Sequence, residues 1–127
     1  MRPAKDSVLF VDDEEINLFI FEKSFEKDFK VITASSGREG LDKLKSHSNE
    51  IKVVISDMRM PEMDGLMFIE EARSLFDEIS YFILTGFSFN KELESALENK
   101  LIDQIFKKPF DYESIKKAVG LNSQSSF

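Results

Sequence analysis

Cysteine and tryptophan are absent from this chain, histidine occurs once and proline three times. Without cysteine there is neither a disulfide framework nor a thiolate nucleophile. A single His47 cannot assemble a zinc cluster, and in the polar stretch Ser46-His47-Ser48-Asn49 it reads as a solvated surface residue. No apolar run approaches the roughly 18 residues of a membrane span, and the N-terminus has no long apolar segment of signal-peptide type. The expectation is a cytoplasmic protein without membrane contact. Nucleotide fingerprints are also missing, since neither GxGxxG nor GxxxxGK[ST] occurs. Positive charge is in the minority: 17 Lys and Arg face 24 Asp and Glu, a net charge of −7. That balance argues against direct nucleic-acid binding by the chain itself, though not against action on a partner that binds nucleic acid.

What is present suits one domain. The 127 residues are 42% hydrophobic and 32% charged, an ordinary soluble mixture. Thirteen Phe against two Tyr imply a core that is largely aromatic. Residues 1–6 read as a loose polar tail, and 121–127 as a C-terminal tail or linker stub. Between them, five apolar runs alternate with five stretches of helical periodicity.

The expected strands are Ser7–Val11, Phe29–Ala34, Ile51–Ser56, Ser80–Leu84 and Ile102–Lys107. Ile16, Phe19, Ile20, Phe21 and Phe25 recur at helical spacing after the first, where Asp13 or a neighbour caps the helix. Helix two runs through Gly40, Leu41 and Leu44. Helix three carries Leu66, Ile69, Ala72, Leu75 and Phe76, and helix four starts near Asn90. Asp111 caps helix five, and Gly120 is expected to end it. The alternation predicts a single doubly wound α/β domain over residues 7–120. Its sheet is parallel, of order 2-1-3-4-5, with helices on both faces.

One consequence concerns chemistry. The residues that follow the strands are Asp12 and Asp13, Asp57, Thr85 and Lys108. In a parallel sheet these ends share one edge, where ligands of open α/β folds collect. Three carboxylates placed together repel unless a cation sits among them. Oxygen donors alone suit a hard divalent ion, Mg²⁺ or, as a second choice, Mn²⁺. Asp57 is then a covalent nucleophile for a phosphoryl group, Lys108 a mobile positive charge and Thr85 a hydroxyl donor. With no nucleotide fingerprint, the phosphoryl donor is a phosphorylated partner protein or a small acyl phosphate.

At these residues the sequence resembles the receiver domains of two-component response regulators, the CheY-like fold. The motifs are LFVDDE (Leu9–Glu14), SDMRMPEMDG (Ser56–Gly65), LTG (Leu84–Gly86) and KKPF (Lys107–Phe110), in family order and spacing. The resemblance implies that Asp57 is the phosphoacceptor. It implies that Asp12, Asp13, Asp57 and the Met58 backbone carbonyl surround Mg²⁺, Asp13 being a direct ligand. Thr85 and Lys108 would bind phosphoryl oxygens, and the Lys108–Pro109 bond would be cis, as is common in the family. Arg59 and Phe87 match positions that flank the phosphoryl group. The implied partners are a histidine kinase or histidine phosphotransfer protein as donor, and a target or output domain at the helix 4–strand 5–helix 5 face. The chain would catalyse its own aspartyl phosphorylation and slow autodephosphorylation without being a metabolic enzyme.

Two positions depart from the family pattern. The residue three before the lysine is usually Tyr or Phe and moves inward with the Thr hydroxyl; here it is Ile105. Phe106 lies one step out of register, on the opposite face of the strand. The turn before strand five has Leu101-Ile102 where a Gly-Ala pair is usual. Other readings are a receiver excised from a longer regulator or hybrid kinase, and a receiver-like interaction module that is not phosphorylated. An aspartyl-nucleophile phosphatase would want an acid–base Asp two residues after Asp57, where this chain has Arg59.

Overall fold

A computed structural model describes residues 6–86 and 90–123, with backbone alone for 121–123. The elements alternate as β1 (Ser7–Val11), α1 (Glu15–Phe25), β2 (Lys30–Ala34), α2 (Gly37–Ser46), β3 (Ile51–Asp57), α3 (Gly65–Leu75), β4 (Ser80–Thr85), α4 (Lys91–Glu98), β5 (Gln104–Lys107) and α5 (Tyr112–Ser123). All four strand pairings are parallel, and the sheet order is β2-β1-β3-β4-β5. Fold class and strand order are therefore as the alternation predicts. No helix among the described residues is long and apolar enough to cross a membrane.

Strand side chains alternate between two buried layers, as the two-residue period of a strand requires. Leu9, Val11, Val54, Tyr81 and Ile83 face one way and pack with Leu41 and Leu44 of α2, Phe68, Ile69 and Ala72 of α3, and Leu93 and Ala96 of α4. Val8, Phe10, Val53, Ile55, Phe82, Leu84 and Phe106 face the other way, toward Phe21 and Phe25 of α1 and Ile115, Ala118 and Val119 of α5. This second layer is strongly aromatic. Phe10 stacks on Phe21 with centroids 4.1 Å apart, Phe25 stacks on Phe29 and Tyr112 at 5.1 Å each, and Phe110 meets Phe21 at 5.6 Å.

Four helix starts carry polar caps, of which Asp111 is the one the sequence predicts. Asp64 accepts from the Met67 N–H, Asn90 from Leu93 and Asp111 from Ser114, each at 2.9 Å. At α2, Ser36 accepts from the Glu39 N–H while the Glu39 carboxylate reaches back to the Ser35 N–H, a variant of the capping box. That pair starts α2 at Gly37. β2 begins at Lys30, because the Phe29 N–H is taken by the Phe25 carbonyl at the end of α1.

Three expectations need correction. α1 has no single apolar stripe: Ile16, Phe19 and Ile20 are 62%, 57% and 45% exposed, while Phe21 and Phe25 are fully buried. At 3.6 residues per turn, Leu18, Phe21 and Phe25 form the core-facing side, and residues 16, 19 and 20 fall on the far side. No side chain caps α1 at its N-cap residue Glu14. Gly120 does not end α5, which continues to Ser123. A glycine stop needs a left-handed residue, and no described glycine has positive φ. Among the described residues the left-handed ones are Glu62 (φ 69°) and Lys100 (φ 62°), the second of which turns the chain from α4 toward β5.

Arg73 secures that turn. Its Nε donates to the Leu101 carbonyl at 2.9 Å, its Nη2 contacts Asp103 at 2.9 Å, and its guanidinium lies over the Tyr81 ring at 4.7 Å. Asp103 also accepts from the Tyr81 N–H at 2.8 Å. Leu101-Ile102 thus leads into a braced connection, with Ile102 fully buried.

A Cβ added at Gly120 meets nothing within 4 Å. Gly120→Ala is therefore expected to stabilise the protein by about 0.5–1 kcal/mol, by restricting the unfolded chain and favouring helix. A urea titration should show a higher midpoint at unchanged slope; a lower midpoint contradicts an uninterrupted α5.

Candidate functional site: an acidic cluster at the carboxyl edge of the sheet

The chain places its carboxylates at the carboxyl ends of two adjacent central strands. β1 ends at Val11, so Asp12 and Asp13 follow it, and Asp57 is the last residue of β3, which pairs with β1. Asp12, Asp13 and Asp57 each offer a carboxylate oxygen within 4.8 Å of the others. Asp12 and Asp57 are buried, whereas Asp13 is exposed. This cluster is able to coordinate a divalent metal: its donors are all oxygen, at a separation one small cation can span.

β5 delivers the compensating charge. The Lys108 Nζ lies 2.8 Å from Asp57 Oδ1 and 3.6 Å from Asp12 Oδ2. Its backbone N–H donates to the Thr85 carbonyl at 2.8 Å, which ties the end of β5 to the end of β4. Thr85 is 2% exposed and registers with Lys107. The Lys108–Pro109 peptide is cis, as the resemblance implies. Lys107 projects to solvent.

Burial pushes the Asp57 carboxyl above its ordinary pKa; the Lys108 hydrogen bond opposes this, and the Asp12 and Asp13 charges add to it. Burial works against the Lys108 ammonium, yet its contacts with Asp57 and Asp12 hold its pKa above the ordinary lysine value. Three carboxylates against the Lys108 ammonium leave the site short of positive charge, which a bound cation would relieve.

The loop after β3 owes its shape to Gly65. The Gly65 N–H donates to the Met58 carbonyl at 2.8 Å. A Cβ on Gly65 would stand 2.4 Å from the Asp57 carbonyl oxygen, so no other residue fits without moving the loop. Met58 is anchored by its buried side chain and by its own N–H to Leu84 O at 3.3 Å. Its carbonyl keeps a second lone pair.

Two clefts flank the site. One, of about 180 Å³, is lined by Met58, Arg59, Asp64, Thr85, Asn90 and Glu92. The other, of about 440 Å³, lies beyond Lys108 among Phe10, Asp12, Asn17, Leu84 and Phe110. Arg59 therefore lines the Thr85 side of the site, while Phe87 lies outside the described residues. Ile105 sits opposite Ile83 in the sheet, half-buried against the aliphatic layer. Phe106 lies in the other layer with its ring 5.6 Å from Phe82, so the two residues do face opposite ways. His47 is remote from all of this, 3.4 Å from Glu50.

Sequence reasoning missed Asn17. Its Nδ2 donates to Asp12 Oδ2 at 3.2 Å and to Glu14 Oε1 at 3.0 Å. The only signal was an amide in the first turn of the helix that follows the acidic pair.

The family model of the response regulator receiver domain matches residues 8–120, and the chain belongs to that family. It is 27% identical to the hydrogenase transcriptional regulatory protein HoxA of Cupriavidus necator over 110 residues, which are 87% of this chain and 22% of that protein. It is also 27% identical to sporulation initiation phosphotransferase F of Bacillus subtilis over 117 residues, covering 90% of each. Among solved structures it resembles the Vibrio cholerae chemotaxis protein CheY4, with a TM-score of 0.83 and 27% identity over 94% of this chain and 99% of that one. The chain spans about half or less of the length of several regulators it matches. Acidic cluster, lysine and fold together make this a receiver domain built for aspartyl phosphorylation and divalent-metal coordination in signalling.

The raised Asp57 pKa fixes a sign. Asp57 binds its proton more tightly folded than unfolded, so its ionisation costs stability as pH rises from the unfolded value of 3.8 through the folded one. In metal-free buffer at pH 7, Asp57→Asn should unfold at higher denaturant concentration than the parent, with the gap closing as pH falls below that window. A variant less stable than the parent at pH 7 contradicts the raised pKa.

Proposed function

We propose that this domain is a phosphorylation-dependent signalling switch in which Asp57 accepts a phosphoryl group from a histidine kinase or histidine phosphotransfer protein. The observation that carries the reading is the 2.8 Å contact of Lys108 with an aspartate lying within 4.8 Å of two further carboxylates. Asp12, Asp13, Asp57 and the Met58 carbonyl would hold Mg²⁺, with Mn²⁺ as a substitute. Asp12 accepts from Glu14 N on one oxygen and from the Asn17 amide on the other, and its Oδ2 faces Lys108 at 3.6 Å, whereas Asp13 is exposed. That arrangement supports Asp13 as the direct ligand, with the buried Asp12 beside it. When bound, the ion neutralises the carboxylates and orients a phosphoryl oxygen.

In the transfer, an Asp57 oxygen attacks phosphorus in line with the departing imidazole nitrogen. The O–P bond forms as the N–P bond breaks, and the imidazole keeps the electron pair. Lys108, already on Asp57 Oδ1, offsets charge on the equatorial oxygens. Thr85 at the end of β4 supplies a hydroxyl to another. Arg59 at the rim of the smaller cleft guides the donor or pairs beside the product.

The acyl phosphate biases a two-state surface at the α4–β5–α5 face. Ile105 makes that transition an aliphatic repacking rather than an aromatic rotation. Its half-buried place against the layer that holds Leu93 and Ala96 of α4 supports this. Slow self-hydrolysis resets the switch.

Incubation with Mg²⁺ and a small acyl phosphate should add one phosphoryl group by intact mass, and Asp57→Asn should abolish it. Lys108→Met should retain Mg²⁺ binding and lose at least tenfold in phosphorylation rate. An unchanged mass in folded protein that binds Mg²⁺ refutes the reading.

A further inference from the structure

Asp12 is the most thoroughly enclosed charged side chain of the site, 1% exposed, and three groups reach it among the described residues. Oδ1 accepts from the Glu14 N–H at 2.9 Å. Oδ2 accepts from the Asn17 amide at 3.2 Å and faces the Lys108 ammonium at 3.6 Å. Lys108 is an unreliable holder of Oδ2. It stands 0.8 Å closer to Asp57 (3.6 against 2.8 Å), and a phosphoryl group on Asp57 would draw it further away. Asn17 is the donor that stays.

Its chemistry also matters. A neutral amide satisfies a buried carboxylate oxygen without adding positive charge where a divalent cation must sit, which a second lysine would do. The same NH₂ donates its other hydrogen to Glu14 Oε1 at 3.0 Å, which braces the amide from a second side. α1 fixes the amide in turn, since the Asn17 N–H donates to the Glu14 carbonyl at 3.0 Å. A purely local helix-start role would need only the Glu14 bonds; the bond to Asp12 reaches out of the helix into the site.

We infer that Asn17 is a positioning residue for the divalent-ion site, aiming the Asp12 carboxylate at the ion and keeping it aimed once Lys108 has moved to the phosphoryl group. This rests on the reading of the acidic cluster as an ion site. Hydrogen-bond partners of metal-site carboxylates are worth about 10–100-fold in metal affinity.

The test titrates Mg²⁺ alone, by calorimetry, into the parent protein, Asn17→Leu and Asn17→Ala. Phosphorylation rate against Mg²⁺ concentration, with a small acyl phosphate, is measured in parallel. Both variants should bind Mg²⁺ about tenfold more weakly or worse, while the phosphorylation rate at saturating Mg²⁺ stays within about twofold of the parent. Asn17→Gln, which keeps the amide, should recover part of the affinity. Should leucine prove too bulky to fold, alanine is a strong helix former and gives the same readout. Parent-like Mg²⁺ affinity in a folded Asn17→Ala overturns the inference while leaving the ion site intact. A folded parent protein that takes up no Mg²⁺ overturns both.

Discussion

Three carboxylates crowd one edge of the sheet, and one ammonium answers them. That imbalance is the constraint on which the rest of the structure turns. Like charges this close persist only if their positions are enforced from outside the cluster. The enforcement comes from the backbone: Asp12 directly follows β1, Asp57 ends the neighbouring parallel strand β3, and Lys108 leaves β5 through a hydrogen bond to Thr85 at the end of β4. Four strands therefore hold the site in register, and no single loop has to.

The two faces of the sheet support that edge differently. The α2–α3–α4 side is mostly aliphatic, and the α1–α5 side is dominated by phenylalanine rings in contact. Phe110, two residues beyond Lys108, packs between Phe21 and Phe25 of α1. The segment that carries the lysine is thereby wedged into the aromatic layer. Asp12 precedes the same helix and is held by its first turn through Glu14 and Asn17. At the opposite edge, Arg73 braces the entry to β5 against β4 and the end of α4.

Strand positions and the reactive edge were legible in the sequence because their signals are local. An apolar run closing in Asp, Thr or Lys marks a strand end, and the two-residue period separates Ile105 from Phe106 without further information. Helix faces were less legible. α1 is apolar nearly all round, so composition could not say that Phe21 and Phe25 go inward while Ile16 and Phe19 stay out. Gly120 looked like a terminator, but a glycine stops a helix only where the chain turns left-handed, and no sequence signal demanded that turn. Asn17 and Arg73 escaped for another reason. Arg73 acts on residues that only folding brings near, its bond to Leu101 spanning 28 residues, while Asn17 lies five residues from Asp12 and faces it only through the turn between β1 and α1.

Gly65 separates two properties that are easily taken as one. Its constraint is against the backbone carbonyl of residue 57, not against the carboxylate. Replacing Asp57 would erase the chemistry and leave the demand for glycine untouched. A lineage that abandoned phosphoryl transfer could shed Asp12, Asp13 and Lys108 one by one, yet it would still inherit a glycine here for as long as it kept the loop. Gly65 therefore reports the shape of the loop, and only the acids and the lysine report the chemistry.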